Sequence, residues 1–150
     1  MYPNAKTVLL IILFMVPAFI FPQEKNTRYK DPKLNIEILY GNCDRAGLEE
    51  GEFGQLFRQY YKIYEPDMKV ISQIRPLQEG IDILIVLGTW CSDSQEQVPK
   101  FFKVLDKTKF PKKNIQMICV SSAKEAGVVD LLNYDIVKVP TFIFYRKGRE

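Results

Sequence analysis

Histidine is absent from all 150 residues of the chain. That absence excludes cysteine–histidine catalysis, histidine-based zinc sites and the serine triad, all of which need an imidazole as base or ligand. Cysteine is scarce, with residues at positions 43, 91 and 119 only. Three dispersed thiols neither staple a disulfide-dense scaffold nor supply metal-ligand spacing, and at least one stays unpaired in a monomer. Long blocks of one charge are also missing. The 21 Lys and Arg stand against 18 Asp and Glu, a formal net charge of +3, which does not describe a nucleic-acid surface. Lys100 to Lys113 is locally basic but is interrupted by Asp106, and reads as a solvated helix face and loop.

What is present begins with an apolar run, Thr7 to Phe21, behind the lone cation of Lys6 and ahead of the charged stretch Gln23 to Lys30. Its apolar core of about 14 residues is shorter than the roughly 20 that a relaxed membrane-spanning helix requires. Residues 1–21 are therefore expected to be a cleaved export signal, with Val16 and Ala18 forming an acceptable processing site. The protein is then periplasmic or otherwise exported, with membrane attachment only if the segment is retained. No cysteine follows the run, so a lipid anchor is not expected. An odd thiol in an exported protein calls for an explanation.

The remainder divides into an N-terminal extension, residues 22–68, and a core, residues 69–150. In the extension, Lys33 to Tyr40 partly alternates and predicts a short strand ending at Gly41-Asn42. From Leu48 to Glu65, Phe53, Leu56, Phe57, Tyr60, Tyr61 and Tyr64 recur at helical spacing, a stripe expected to pack in the core. Met68 to Leu77 predicts a short helix halted at Pro76. Ile81 to Leu87 is an unalternating Ile/Leu/Val run, the pattern of a strand buried on both faces. A helix is expected from about Ser94 to Asp106, with Val98, Phe101, Phe102 and Leu105 inward and a kink at Pro99. Asn114 to Val120 predicts a strand, Ala123 to Leu132 a short helix, and Val139 to Tyr145 a further strand ending in a turn around Gly148. Alternating strands and helices give an α/β fold with helices covering an apolar sheet. An unpaired edge at Val139 to Tyr145 is an aggregation hazard, so either a partner strand outside this sequence or a protected edge is expected.

The stretch Leu87-Gly88-Thr89-Trp90-Cys91-Ser92-Asp93-Ser94 places Cys91 where a strand hands over to a helix. Unpaired backbone N–H groups at a helix start stabilise a thiolate, and the neighbouring carboxylate of Asp93 opposes this. The residue three positions on is Ser94, which cannot close a disulfide with Cys91. Such a site attacks but does not resolve itself. Pro99 follows eight residues after the cysteine, and Val139-Pro140-Thr141 precedes a strand that ends at Lys147-Gly148. Over roughly Lys69 to Glu150 these features, in this order, resemble the thioredoxin family, specifically exported thioredoxin-like proteins of bacteria.

The resemblance implies a thioredoxin-like fold, a central mixed sheet flanked by helices, here without the usual final strand and closing helix. It implies that Pro140 is a cis-proline beside Cys91. It also shows a departure, because the family's Cys-x-x-Cys is Cys-x-x-Ser here. Gly88 stands where the peroxidase branch of the superfold usually has threonine, which argues against peroxide reduction. The expected function is thiol–disulfide exchange by the single Cys91 through mixed disulfides with protein disulfides or low-molecular-weight thiols, with an external thiol for recycling and with no cofactor, metal or nucleic acid. The alternative is a non-catalytic module of the same fold that grips an extended segment. Ser94 has two roles open to it, capping a helix turn or donating to the Cys91 sulfur. Trp90, Val139 and Pro140 are the expected substrate contacts, Trp90 as a flat apolar surface and Val139 through backbone bonds. Cys43, expected to be exposed after its strand, is the intramolecular candidate for resolving Cys91. Cys119 is expected to be inert core.

Overall fold

The computed structural model describes residues 24–150. The segment read as an export signal, residues 1–21, lies outside the described residues. Among the described residues no helix is long and apolar enough to cross a membrane.

The chain opens with a hairpin of β1 (Thr27–Lys30) and β2 (Glu37–Cys43). The strand β1 was not expected from the sequence. Its turn is organised by Asp31, whose Oδ1 accepts from the backbone N–H groups of Lys33 and Leu34 at 2.9 Å each. Asp-Pro at the start of such a turn is favourable because the carboxylate mimics a backbone turn acceptor. Contrary to expectation, β2 does not stop at Gly41. The glycine takes φ +77°, open to it because it lacks a Cβ. It is also where β2 changes partner, since Glu37 to Tyr40 pair with β1 and Gly41 to Cys43 pair with β4 (Ile115–Cys119).

The single helix expected from Leu48 is instead α1 (Arg45–Leu48) and α2 (Gly51–Ile63), separated at Gly51 with φ +59°. Asp44 caps α1, accepting from Gly47 N–H. Helix α3 (Met68–Ile74) is capped by Asp67 and runs into a 3-10 turn, Arg75–Leu77, that holds Pro76. Strand β3 (Ile81–Leu87) coincides with the predicted run. Helix α4 (Ser92–Thr108) is longer than predicted and continues through Pro99, whose side chain is fully buried. No helix forms over Ala123 to Leu132. Ser121 and Asp130 bond the local backbone there, to Glu125 N–H and Leu132 N–H, and Lys124 and Gly127 take positive φ. The apolar residues of the segment do not follow a helical stripe, since Ala126, Val129 and Leu131 pack on the second core cluster while Val128 and Leu132 are each 90% exposed. The final strand is β5 (Thr141–Arg146).

These strands form a mixed sheet in the order β1-β2-β4-β3-β5, with β3 and β4 parallel and the other neighbours antiparallel. Alternation along β3 divides the core. Ile83, Ile85 and Leu87 face α2 and α4, packing with Phe53, Phe57, Val98, Phe102 and Leu105. Leu84 and Val86 face the other way, with Ile118, Val120, Val139 and Ile143, under a cover of irregular chain rather than helix. The aromatic stripe of α2 packs inward as expected, Phe57 lying 5.7 Å from Phe102 between ring centres. Asp106 of α4 ties the helices further, accepting from Arg45 Nη1 and Tyr61 Oη at 2.7 Å each. Strand β5 pairs with β3 on one side and has no strand on its other side among the described residues.

Candidate functional site

The junction between β3 and α4 presents Cys91. Residues Gly88 to Cys91 form a tight turn in which Cys91 N–H donates to Gly88 C=O at 3.0 Å. Cys91 is then the N-cap of α4, its carbonyl receiving Gln95 N–H at 2.9 Å. The thiol is half-buried and donates to the Val139 carbonyl at 3.3 Å. The Val139–Pro140 peptide is cis. Residues 48 apart in sequence thus meet at the sulfur, with the lead-in to β5 on one side and the first turn of α4 on the other.

Around the sulfur the chain is held from within. Ser94 is completely buried, and its Oγ accepts from Gly88 N–H at 3.3 Å. Neither role weighed for Ser94 is the one observed. Its hydroxyl faces back across the turn, bridging the end of β3 to the first turn of α4, because that buried N–H has no strand partner and needs an acceptor. Trp90 is half-buried against the second core cluster, and its Nε1–H donates to Val120 C=O at 2.9 Å. The bond holds the indole against the residue that follows β4 and leaves the side chain partly exposed.

Two residues that the sequence did not single out complete the brace. Thr89 Oγ1 accepts from Leu39 N–H at 3.2 Å, and Gln95 Nε2 donates to Thr89 C=O at 2.9 Å. Nothing local in the sequence marks Thr89, since its partner lies on β2. Gln95 carries a weak signal as a polar residue one turn after the cysteine on an otherwise amphipathic helix. A groove of about 500 Å³ opens beside Trp90, between Ile38 and Leu39 of β2 and Leu56 of α2. Its rim is charged, with Arg28 bonded to Glu37 and Glu50.

Cys43 departs furthest from expectation. It lies inside β2, is 5% exposed, and packs with the helix-side core, whereas Cys91 packs against the opposite cluster. The sheet stands between them, so Cys43 is not placed to resolve Cys91. Its neighbour is Cys119. Trp90, Cys91, Ser94, Val139 and Pro140 are brought together and Cys43 is not. No protein-family model, curated protein or solved structure matches this chain.

Proposed function

We propose that the chain is an exported thioredoxin-like protein that exchanges disulfides through Cys91 alone. The observation that carries the reading is the half-buried Cys91 thiol at the start of α4, 3.3 Å from the carbonyl of a cis Val139–Pro140 peptide, with a buried serine three residues on. Loss of the thiol proton to solvent frees a thiolate at the positive end of a 17-residue helix. That thiolate attacks one sulfur of a client disulfide, forming a mixed disulfide and expelling the other client sulfur, which takes up a proton. Ser94 offers no second thiol and its hydroxyl is engaged with Gly88 N–H, so the mixed disulfide persists until an external thiol attacks it. The expelled Cys91 thiolate then regains its proton. Trp90 and the groove beside it offer the client an apolar contact.

The test is the reaction of the purified full chain with a chromogenic aromatic disulfide and with a disulfide-bonded protein. The expected result is modification of Cys91 faster than free cysteine at the same pH, a mixed disulfide that survives until thiol is added, and loss of both in Cys91→Ser. Ser94→Cys is expected to release the trapped client. A rate no higher than that of free cysteine, or trapping that survives Cys91→Ser, refutes the reading. The exposed Val128, Leu132 and Val137 favour a second reading, a module that holds extended apolar segments without turnover. Client binding that is undiminished in Cys91→Ser supports that one instead.

A further inference from the structure

The other two thiols, Cys43 and Cys119, lie outside this site and serve no step in it. We propose that Cys43 and Cys119 are a disulfide site, oxidised by a low-molecular-weight disulfide to a cross-link between β2 and β4, with Cys91 outside the cross-link. The two cysteines sit on neighbouring antiparallel strands, where Cys43 is opposite Met117 and Cys119 is opposite Gly41, so the pair is diagonal across the ladder. Their sulfurs stand 2.7 Å apart. That is closer than the about 2.9 Å of an ordinary N–H···O bond although sulfur is the larger atom, and about 0.7 Å of further approach gives a covalent S–S bond. Neither sulfur has a metal to hold, since no cluster of metal-ligating side chains occurs among the described residues.

Access is asymmetric. Cys119 is completely buried, while Cys43 lines a cleft of about 550 Å³ whose charged walls mix Lys25, Arg45 and Lys112 with Asp44 and Asp106. Burial also pushes the Cys119 thiol well up, so Cys43 is the sulfur that opens the exchange. Its thiolate, having lost a proton to solvent, attacks one sulfur of R–S–S–R to give Cys43–S–S–R and R–S⁻. The departing thiolate takes the proton of Cys119. The Cys119 sulfur then attacks Cys43 Sγ and expels the second R–S⁻, which is protonated by solvent. Two protein thiols are oxidised and one external disulfide is reduced to two thiols.

The proposal does not rest on the reading of Cys91, and peptide mapping separates them because the three cysteines fall in different tryptic peptides. The full chain is equilibrated with oxidised glutathione, denatured, alkylated and mapped without reduction. The expected result is a linked pair of peptides carrying Cys43 and Cys119, with Cys91 outside that link, and the same link in Cys91→Ser. Cys119→Ser is expected to leave Cys43 as a glutathione adduct. Closing a loop of 76 residues is expected to raise the thermal midpoint of the oxidised wild type by about 10 °C over the reduced form, a measurement that needs no variant to fold. Three alkylated thiols after oxidised glutathione, a link between Cys43 and Cys91, or a linked form that melts no higher than the reduced one overturns the proposal.

Discussion

Replacing Ser94 by alanine separates a structural serine from one that acts on the sulfur. The side chain is completely buried and its one assigned partner is Gly88 N–H, 3.3 Å away. Alanine removes the acceptor and leaves that buried N–H unpaired, a loss of about 1–3 kcal/mol. The bond is long and the hydroxyl's own desolvation is relieved, so the lower end, about 1 kcal/mol, is expected. For a chain of this size that lowers the thermal midpoint by about 2–4 °C. Since the hydroxyl faces Gly88 rather than Cys91, the rate at which Cys91 reacts with a small disulfide is expected to change by no more than about twofold, under half a kcal/mol of barrier. Calorimetry and stopped-flow absorbance on the same preparation give both quantities. A tenfold change in the Cys91 rate with an unchanged melting point refutes the argument, because it makes Ser94 a partner of the sulfur and not a clamp across the turn.

Two other features of the frame carry clear consequences. A Cβ on Gly88 would lie 2.6 Å from Trp90 Nε1, so Gly88→Ala forces the indole off its bond to Val120 C=O; the emission of this single tryptophan is expected to shift to the red, and an unshifted spectrum shows that the turn accommodates the methyl group. Asp31 is enclosed and accepts from Ser122 N–H at 2.7 Å, from Ser122 Oγ–H at 3.0 Å and from the Lys33 and Leu34 N–H groups. The Ser122 backbone bond leads in holding its carboxyl below the ordinary 3.8, with the Leu34, Ser122 hydroxyl and Lys33 bonds adding to it against the opposing effect of burial. A lowered native value means that the contribution is complete above the unfolded pKa and is lost as pH falls through the native one. Asp31→Asn is therefore expected to be less stable than wild type at pH 7 and to converge with it in urea unfolding below pH 3.8; a gap that is constant with pH contradicts the linkage.

The parts of this structure legible in the sequence are those governed by local patterns. Strand β3 matches its predicted bounds because a run dominated by Ile, Leu and Val, with Asp82 alone interrupting it, lies between Gly80 and Gly88, and the strand-to-helix junction at Cys91 follows from the amphipathic pattern beyond it. Strand β1 was not legible because its four residues, Thr-Arg-Tyr-Lys, are mostly polar and half-exposed, and its stability comes from pairing with β2. Cys43 was misplaced for one reason: Gly41 reads as a strand terminator, yet here its positive φ lets a single strand exchange one partner for another. Ala123 to Leu132 has helix-compatible composition, but Asp31, some 91 residues before Ser122, anchors its beginning in a non-helical path. The approach of Val139 to Cys91 came from resemblance alone, since nothing in spacing brings residues 48 apart together.

The bonds that brace the turn are separate from the one bond that the Cys91 thiol makes. Gly88 N–H is held by Ser94, the Thr89 hydroxyl by Leu39 N–H, the Thr89 carbonyl by Gln95 and the Trp90 indole N–H by Val120. These bonds reach β2, the residue following β4, and α4, so the turn cannot shift without breaking contacts to several elements at once. Such support fixes a reactive group more closely than a loop held only at its ends. The polar atoms that bond inward are fixed by the fold, whereas the Cys91 thiol bonds to a carbonyl just before β5, outside the elements that brace the turn. On the proposed function, an incoming sulfur has to displace that one contact and no part of the brace. The proposed reactivity at Cys91 and the stability of the turn then depend on different bonds, and substitutions at Thr89 or Gln95 are expected to act on the second before the first.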